Sequence, residues 1–206
     1  MILYCVRHGE TVFNAVGRIQ GQTNSELSEL GRQQCQLVAK ALAAEPIEAI
    51  YSSPLKRALE GAQCLADLLG LEVRVDPRFM EIHAGIFQEL AWQDIEARYP
   101  AEAARWRTQD PDFRIPGGES RRDVMNRAAA VFAEIRETGH RQVAVIAHGG
   151  LLSAALKVLI GVAAERNPFQ LNNGSISKLA WDKEVKLMSL NLTEHLRGAM
   201  GGGGDL

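Results

Sequence analysis

Short apolar runs alternate along this chain with stretches of helical period. Residues 2–6 are apolar and β-rich and stop at Arg7-His8, which reads as a buried strand. A Gly- and Asn-containing loop is expected to about Ser25. Ser28 then reads as the N-cap of a helix whose apolar face includes Leu30, Leu37, Val38 and Leu42. Residues 48–51 read as a second strand. Ser53 and Pro54 read as the N-cap and first-turn proline of a helix running towards Leu69, with Gly70 at its stop. Residues 71–75 make a third strand. Residues 90–98 and 101–108 suggest short helices separated by Pro100. Ser120 reads as the cap of a longer helix that puts Val124, Ala128, Val131, Phe132 and Ile135 on one stripe. Residues 142–147 are almost continuously apolar, the mark of a strand covered on both faces. A helix over 149–159 follows, then strands over 176–181 and 185–191 joined by a turn at Asp182.

This alternation predicts a single three-layer α/β domain, a mainly parallel sheet flanked by helices, over residues 1–196. The Gly-rich segment 197–206 is expected to be a flexible tail. Ligands in such sheets lie beyond the carboxyl ends of strands. That rule selects the loops beginning at Arg7-His8 and at His148-Gly149.

Composition narrows the partners. Among 206 residues, 46% are hydrophobic and 23% charged, an ordinary globular balance. A net charge of -2 supplies no whole-protein field to draw in nucleic acid or an anionic membrane, so neither is expected as a partner. The first residues lack the pattern of a signal peptide and no apolar run is long enough to span a bilayer, so a cytoplasmic location is expected. Cys5, Cys35 and Cys64 are odd in number and without metal-ligand spacing; they read as reduced, core-filling thiols.

The chemistry gathers at strand ends. Arg7, His8, Gly9, Glu10 and Thr11 leave the first strand, and His148, Gly149 and Gly150 leave a later one and open a helix. The two imidazoles can meet if their strands are neighbours. Glycine beside each is expected to let backbone approach a ligand, and the helix start at Gly149 offers unpaired N–H groups to an anion. Ser52-Ser53-Pro54-Leu55-Lys56-Arg57 supplies another strand-end loop, with Arg57 expected one turn into its helix. Two imidazoles and two guanidiniums around one volume suit phosphate. Any one of these histidines alone would read as structural; the combination in this order carries the signal.

On RHGET, YSSPLKRALE, MEIHAG, PGGES and VAVIAHGG, the sequence resembles the histidine phosphatase superfamily, the phosphoglycerate-mutase-like enzymes, over almost its whole length. The resemblance implies that His8 is the phosphorylated nucleophile and that Arg7, Arg57 and His148 hold the transferring phosphoryl group. It implies Glu81 as general acid, and Asn14, Gln20 and Gly21 as parts of a loop closing over phosphate and substrate. Gly149 is expected to bind substrate, and His83 to border the pocket or to serve as a structural hydrogen-bonder. Glu10 is expected to position its loop. Trp92, Trp106 and Phe113 are candidates to wall the substrate side or to pack the interior. No metal and no cofactor is expected, since patterns such as HExxH are missing.

Within that family, mutases typically carry Arg-His-Tyr-Gly after the acid and an Asn-Lys pair later. This chain has Ile82-His83-Ala84-Gly85 and then Ala91-Trp92, with a short segment from Glu81 to His148. Fewer donors and a shorter lid admit water, which favours hydrolysis. The phosphatase pattern Gly-x-Trp-x-Gly is also altered, to Gly85-Ile86-Phe87-Gln88-Glu89, where Phe87 could replace an aromatic wall and Glu89 could reshape the pocket. The expected function is therefore a metal-independent phosphatase of small phosphorylated metabolites, of broad or phosphoserine-like specificity. The alternatives are a phosphoglycerate mutase and a non-catalytic phospholigand-binding protein. A homodimer is an allowed assembly.

Overall fold

A computed structural model describes residues 1–197. Of the segment 197–206 read as a flexible tail, all but Arg197 lies outside the described residues.

The two most apolar runs become the central strands. β1 (Ile2–Arg7) and a later strand, Gln142–Ala147, pair in parallel with Arg7 opposite Ala147. Along the chain the elements are β1, α1 (Val12–Ala15), α2 (Glu29–Leu42), β2 (Ala49–Ser52), α3 (Lys56–Leu69) and β3 (Val73–Val75). There follow α4 (Trp92–Arg98), α5 (Pro100–Arg107), α6 (Arg121–Glu137), β4 (Gln142–Ala147), α7 (Gly149–Ile160), β5 (Ile176–Trp181) and β6 (Val185–Leu192). The sheet order is β3-β2-β4-β1-β5-β6. The first four strands are parallel, and the last two run antiparallel to their neighbours.

Alternation along the central strands builds the three layers expected from the sequence. Leu3, Cys5, Val143, Val145 and Ala147 face α6 and α7, whose Val124, Ala128, Val131, Phe132, Ile135 and Leu151 complete one core. Tyr4, Val6, Ala144 and Ile146 face α2 and α3 in the other, through Val38, Leu42, Ala58 and Leu65. Ala84, Phe87, Ile95, Ala103, Phe113 and Ile115 form a separate small cluster beneath the middle helices.

Several local readings need correction. The buried α2 stripe also takes in Cys35 and Ala39 beside Val38 and Leu42; Leu37 packs half-buried against the same core, while Leu30 is half-buried and not part of it. The expected open loop before Ser25 contains α1, where Thr11 and Asn14 make a reciprocal capping box. α3 starts after Leu55, not at Ser53-Pro54, so Arg57 sits in its first turn rather than one turn in. Pro100 opens α5 instead of separating two helices. Phe87 is buried in the small cluster and walls no cleft.

Glu89 is exposed and holds a left-handed backbone, φ 66°, while its N–H donates to the Ile19 carbonyl. It therefore keeps the conformation that glycine would adopt without strain, and it is not among the residues that line the cleft described below. Glu89→Gly should stabilise the fold by about 1 kcal/mol, raising the thermal midpoint by roughly 2–4 °C. A lower midpoint would show that the carboxylate contributes more than its backbone strain removes.

Candidate active site

Sheet order brings the strand-end loops together. β4 lies between β2 and β1, so His148 leaves the sheet beside His8 on one side and Ser53 on the other. The His8 N–H donates to the Ala147 carbonyl and the Ser53 N–H to that of Ile146. The imidazoles of His8 and His148 stand 5.1 Å apart between centroids, both buried.

The His8 ring is oriented by its neighbour. Its Nδ1 lies 2.7 Å from the Gly9 carbonyl, which can only accept, so Nδ1 carries the proton and Nε2 keeps a free lone pair. Burial, and then the charges of Arg57 and Arg7, hold its pKa well below the ordinary imidazole range. His148 is shifted the same way by burial and Arg57, and its Nε2 lies 2.8 Å from Ser53 Oγ. With that hydroxyl donating to Nε2, the neutral ring carries its proton on Nδ1, which is buried without a partner.

These depressed values fix a stability trend. An unfolded chain takes up protons on both imidazoles below about pH 6.5, while the folded chain does not, so stability rises with pH across that region. Thermal midpoints should fall as pH drops from 7.5 to 5.5, and His148→Asn should flatten the decline. An unchanged slope would remove His148 as its source.

The two guanidiniums are anchored differently. Arg57 is 1% exposed and donates through Nη1 and Nη2 to the carbonyls of Thr23 and Gly21, at 2.8 and 2.7 Å. Burial lowers its pKa to about 10. Arg7 donates to the Leu171 carbonyl. In both residues Nε is buried with no hydrogen-bond partner among the described residues. Glu81 occupies the start of α7: its Oε2 accepts from Gly150 N–H at 2.9 Å, and its Oε1 from Leu151 and Ile82 N–H at 3.0 and 2.8 Å. A methyl group at Gly150 would collide with that carboxylate. Glycine at position 9 answers a different need. Its Cα faces the Gly31 backbone in α2, so it permits helix packing rather than the ligand approach expected from the sequence.

A cleft of about 430 Å³ opens over Arg7, Glu81, Gly149 and Gly150 and runs along α7 past Ser153 to Lys157. His8, Arg57 and His148 are buried beside its Arg7 end and are not exposed in its wall. Of the candidate aromatic walls, Trp106 lines the cleft, while Trp92 and Phe113 pack in the small interior cluster. His83 is not in the cleft wall; its Nδ1 accepts from Gly85 N–H at 3.2 Å, and its N–H donates to Glu119. Asn14 Oδ1 accepts from the Thr11 N–H and from Asn173 Nδ2, which also donates to the His8 carbonyl. Gln20 is buried with Oε1 unpartnered, and Gly21 contributes its carbonyl to Arg57. Glu10 accepts from Ser28 Oγ at 2.7 Å, tying its loop to α2.

Sequence reasoning gave no role to Arg127 or Gln22 and read Ser53 only as a helix cap, yet all three frame this centre. Arg127 donates to the carbonyls of Arg78, Met80 and Glu81 and forms a paired contact with Glu119. Gln22 Nε2 donates to the same Glu81 carbonyl. Together with Ser53, they hold the segment bearing Glu81 and the ring of His148. The arginine placed directly before Ala128-Ala129-Ala130 in α6 was the available signal for Arg127.

Among the described residues, no helix is long and apolar enough to cross a membrane. The sequence profile of the histidine phosphatase superfamily (branch 1) matches residues 3–193. The chain is 34% identical over 197 residues to phosphoserine phosphatase 1 of Hydrogenobacter thermophilus, covering 94% of this chain and 93% of that one. It is 34% identical over 194 residues to a Yersinia pestis protein named "Probable phosphoglycerate mutase GpmB", covering 91% and 88%. A solved mycobacterial glucosyl-3-phosphoglycerate phosphatase in complex with VO3 superposes with a TM-score of 0.86 at 35% identity, over 93% of this chain and 99% of that one.

Proposed function

The chain belongs to the histidine phosphatase superfamily, and from that premise we propose that it is a metal-independent phosphatase of small-metabolite phosphomonoesters with His8 as its nucleophile. Relatives named as phosphatases support a phosphomonoester hydrolase. Residues 1–196 would form the catalytic domain. Its three free cysteines are consistent with the reducing cytoplasm expected from the sequence.

One observation carries the assignment of residues. A neutral imidazole with Nε2 unencumbered lies beside two arginines whose Nε donors are buried and unpartnered. His8 Nε2 attacks phosphorus while the bond to the ester oxygen breaks. Arg7, Arg57 and the Nδ1–H of His148 stabilise the equatorial oxygens, whose charge is spread in the transition state. Glu81, protonated for this step, gives its proton to the leaving alkoxide. Water then attacks the phosphohistidine, Glu81 takes its proton, and inorganic phosphate leaves with His8 restored. To do this, Glu81 must exchange at least one of its bonds at the start of α7 for the ester oxygen. Gln20 and Gly21 act through the loop that holds Arg57, Asn14 through Asn173 and the backbone of His8, and Gly149 through the cleft wall.

Glu81→Gln should slow alkyl phosphates by roughly 10²–10⁴-fold, yet leave activated aryl phosphates far less affected. Equal losses on both, measured as kcat/KM, would take Glu81 out of the acid role. The mutase alternative is favoured by the Yersinia relative. Incubation with 3-phosphoglycerate separates the two readings: free phosphate supports hydrolysis, and rapid 2-phosphoglycerate formation without it overturns the proposal.

A further inference from the structure

We propose that the far end of the cleft is a second anion site, built from Arg121 and Lys157, and that the preferred substrates are phosphomonoesters bearing another acidic group. The identity of the cleaved group rests on the phosphatase reading above; the second site rests on its own geometry.

Lys157 is only 3% exposed, yet it lines the cleft from a helix that is otherwise almost wholly apolar. An ammonium has three donors to satisfy. Its hydrogen bond is a single long one, 3.3 Å, to the Ala164 carbonyl. Arg121, at the first position of α6, lines the same end of the cleft. Its guanidinium lies over the Trp106 ring with Cζ 3.4 Å from the centroid, and Nη2 donates to the Trp106 carbonyl. Nη1 is buried without a partner.

Neither cation forms an ion pair among the described residues. Asp110 and Glu165 act on them through space without a hydrogen bond, and Arg121 itself disfavours the charge on Lys157. Two like charges withdrawn from water beside each other are unfavourable unless something supplies the opposite charge. Their opening onto the cleft makes a ligand oxyanion the fitting partner. Gln109 also lines this wall, with a left-handed backbone, φ 62°, of the kind that collects at ligand sites.

The spacing restricts the substrate. From Gly150 to Lys157 along α7 is seven residues, about 10 Å of rise. Helical side chains lean towards the N-terminus, which shortens the gap. A carboxylate or phosphate several bonds from the scissile ester fits this distance better than one on the adjacent carbon. A sugar acid phosphate or a bisphosphate answers the description, and a neutral sugar phosphate does not.

Matched esters test this: 6-phosphogluconate against glucose 6-phosphate for a carboxylate, and fructose 1,6-bisphosphate against fructose 6-phosphate for a phosphate. At least one acidic member should be preferred by about 10-fold or more in kcat/KM. Which pair shows the preference identifies the group. Arg121→Gln and Lys157→Met should each reduce it to about threefold or less, with p-nitrophenyl phosphate hydrolysis held near the wild-type rate. Should one variant fail to fold, the other decides. Equal kcat/KM within both pairs, or a preference that survives the substitutions, overturns the proposal. If no ester is hydrolysed the phosphatase reading falls, and calorimetric affinities for the uncleaved pairs then decide the second site by themselves.

Discussion

Replacing His8 with alanine should lower kcat by about four orders of magnitude or more and abolish any acid-labile phosphoenzyme. The size of the effect follows from the division of labour in the site. Arg7, Arg57 and His148 can steady a phosphoryl group, but none offers a neutral lone pair aimed by an independent hydrogen bond. His8 does, through Nδ1 and the carbonyl of Gly9. The ring makes no other side-chain hydrogen bond within the described residues, so its loss leaves the β1–β4 pairing and the backbone bond to Ala147 in place. Rapid-quench labelling and steady-state kinetics on the same preparation provide the check. Residual turnover with undiminished labelling would assign the covalent step to another residue.

Arg57→Ala should reduce kcat/KM by about 10³-fold, within the span observed when an arginine is withdrawn from a phosphoryl-transfer centre. Two losses combine. The transferring group loses a permanent cation, and the Gly21 and Thr23 carbonyls lose the donors that shape the loop over the site. Arg57→Lys should recover little, because an ammonium cannot hold both carbonyls in a planar fork while presenting a third donor to phosphate. Kinetics with vanadate inhibition test this. Recovery by lysine to within about threefold of wild type would show that charge alone matters there.

Much of this architecture was legible in the sequence because its signals were long or redundant. Strands at 2–6 and 142–147 and the stripe of α6 each rest on several apolar residues in period. The motifs at their ends point to one place because β1 and β4 are neighbours. Ser53 shows where such reading stops. Ser-Pro ahead of a helix resembles a cap, and the hydroxyl does accept the Leu55 N–H just before α3, but it also reaches His148, 95 residues away. The short α1 has no apolar stripe to reveal it. The charged end of the cleft depends on burial and missing counter-ions, neither of which is a property of local sequence, though a single lysine inside GGLLSAALKVLI was a visible clue. The altered glycine at position 89 invited a reading through side-chain charge, and its meaning lies in φ instead.

Arg127 has an evolutionary consequence. Standing on α6, it grips the stretch of backbone that carries Glu81, while the same helix presents Arg121 to the opposite end of the cleft. A rigid rod therefore sets both the proposed proton donor and the proposed distal anchor of the substrate. Changes that tilt α6, such as enlarging Ala128 in its packed stripe, would retune selectivity and turnover together. Separable tuning requires changes confined to side-chain tips. Directed variation of this scaffold should accordingly move preference most cleanly at Arg121 and Lys157, and should show strong epistasis wherever it touches the interior of that helix.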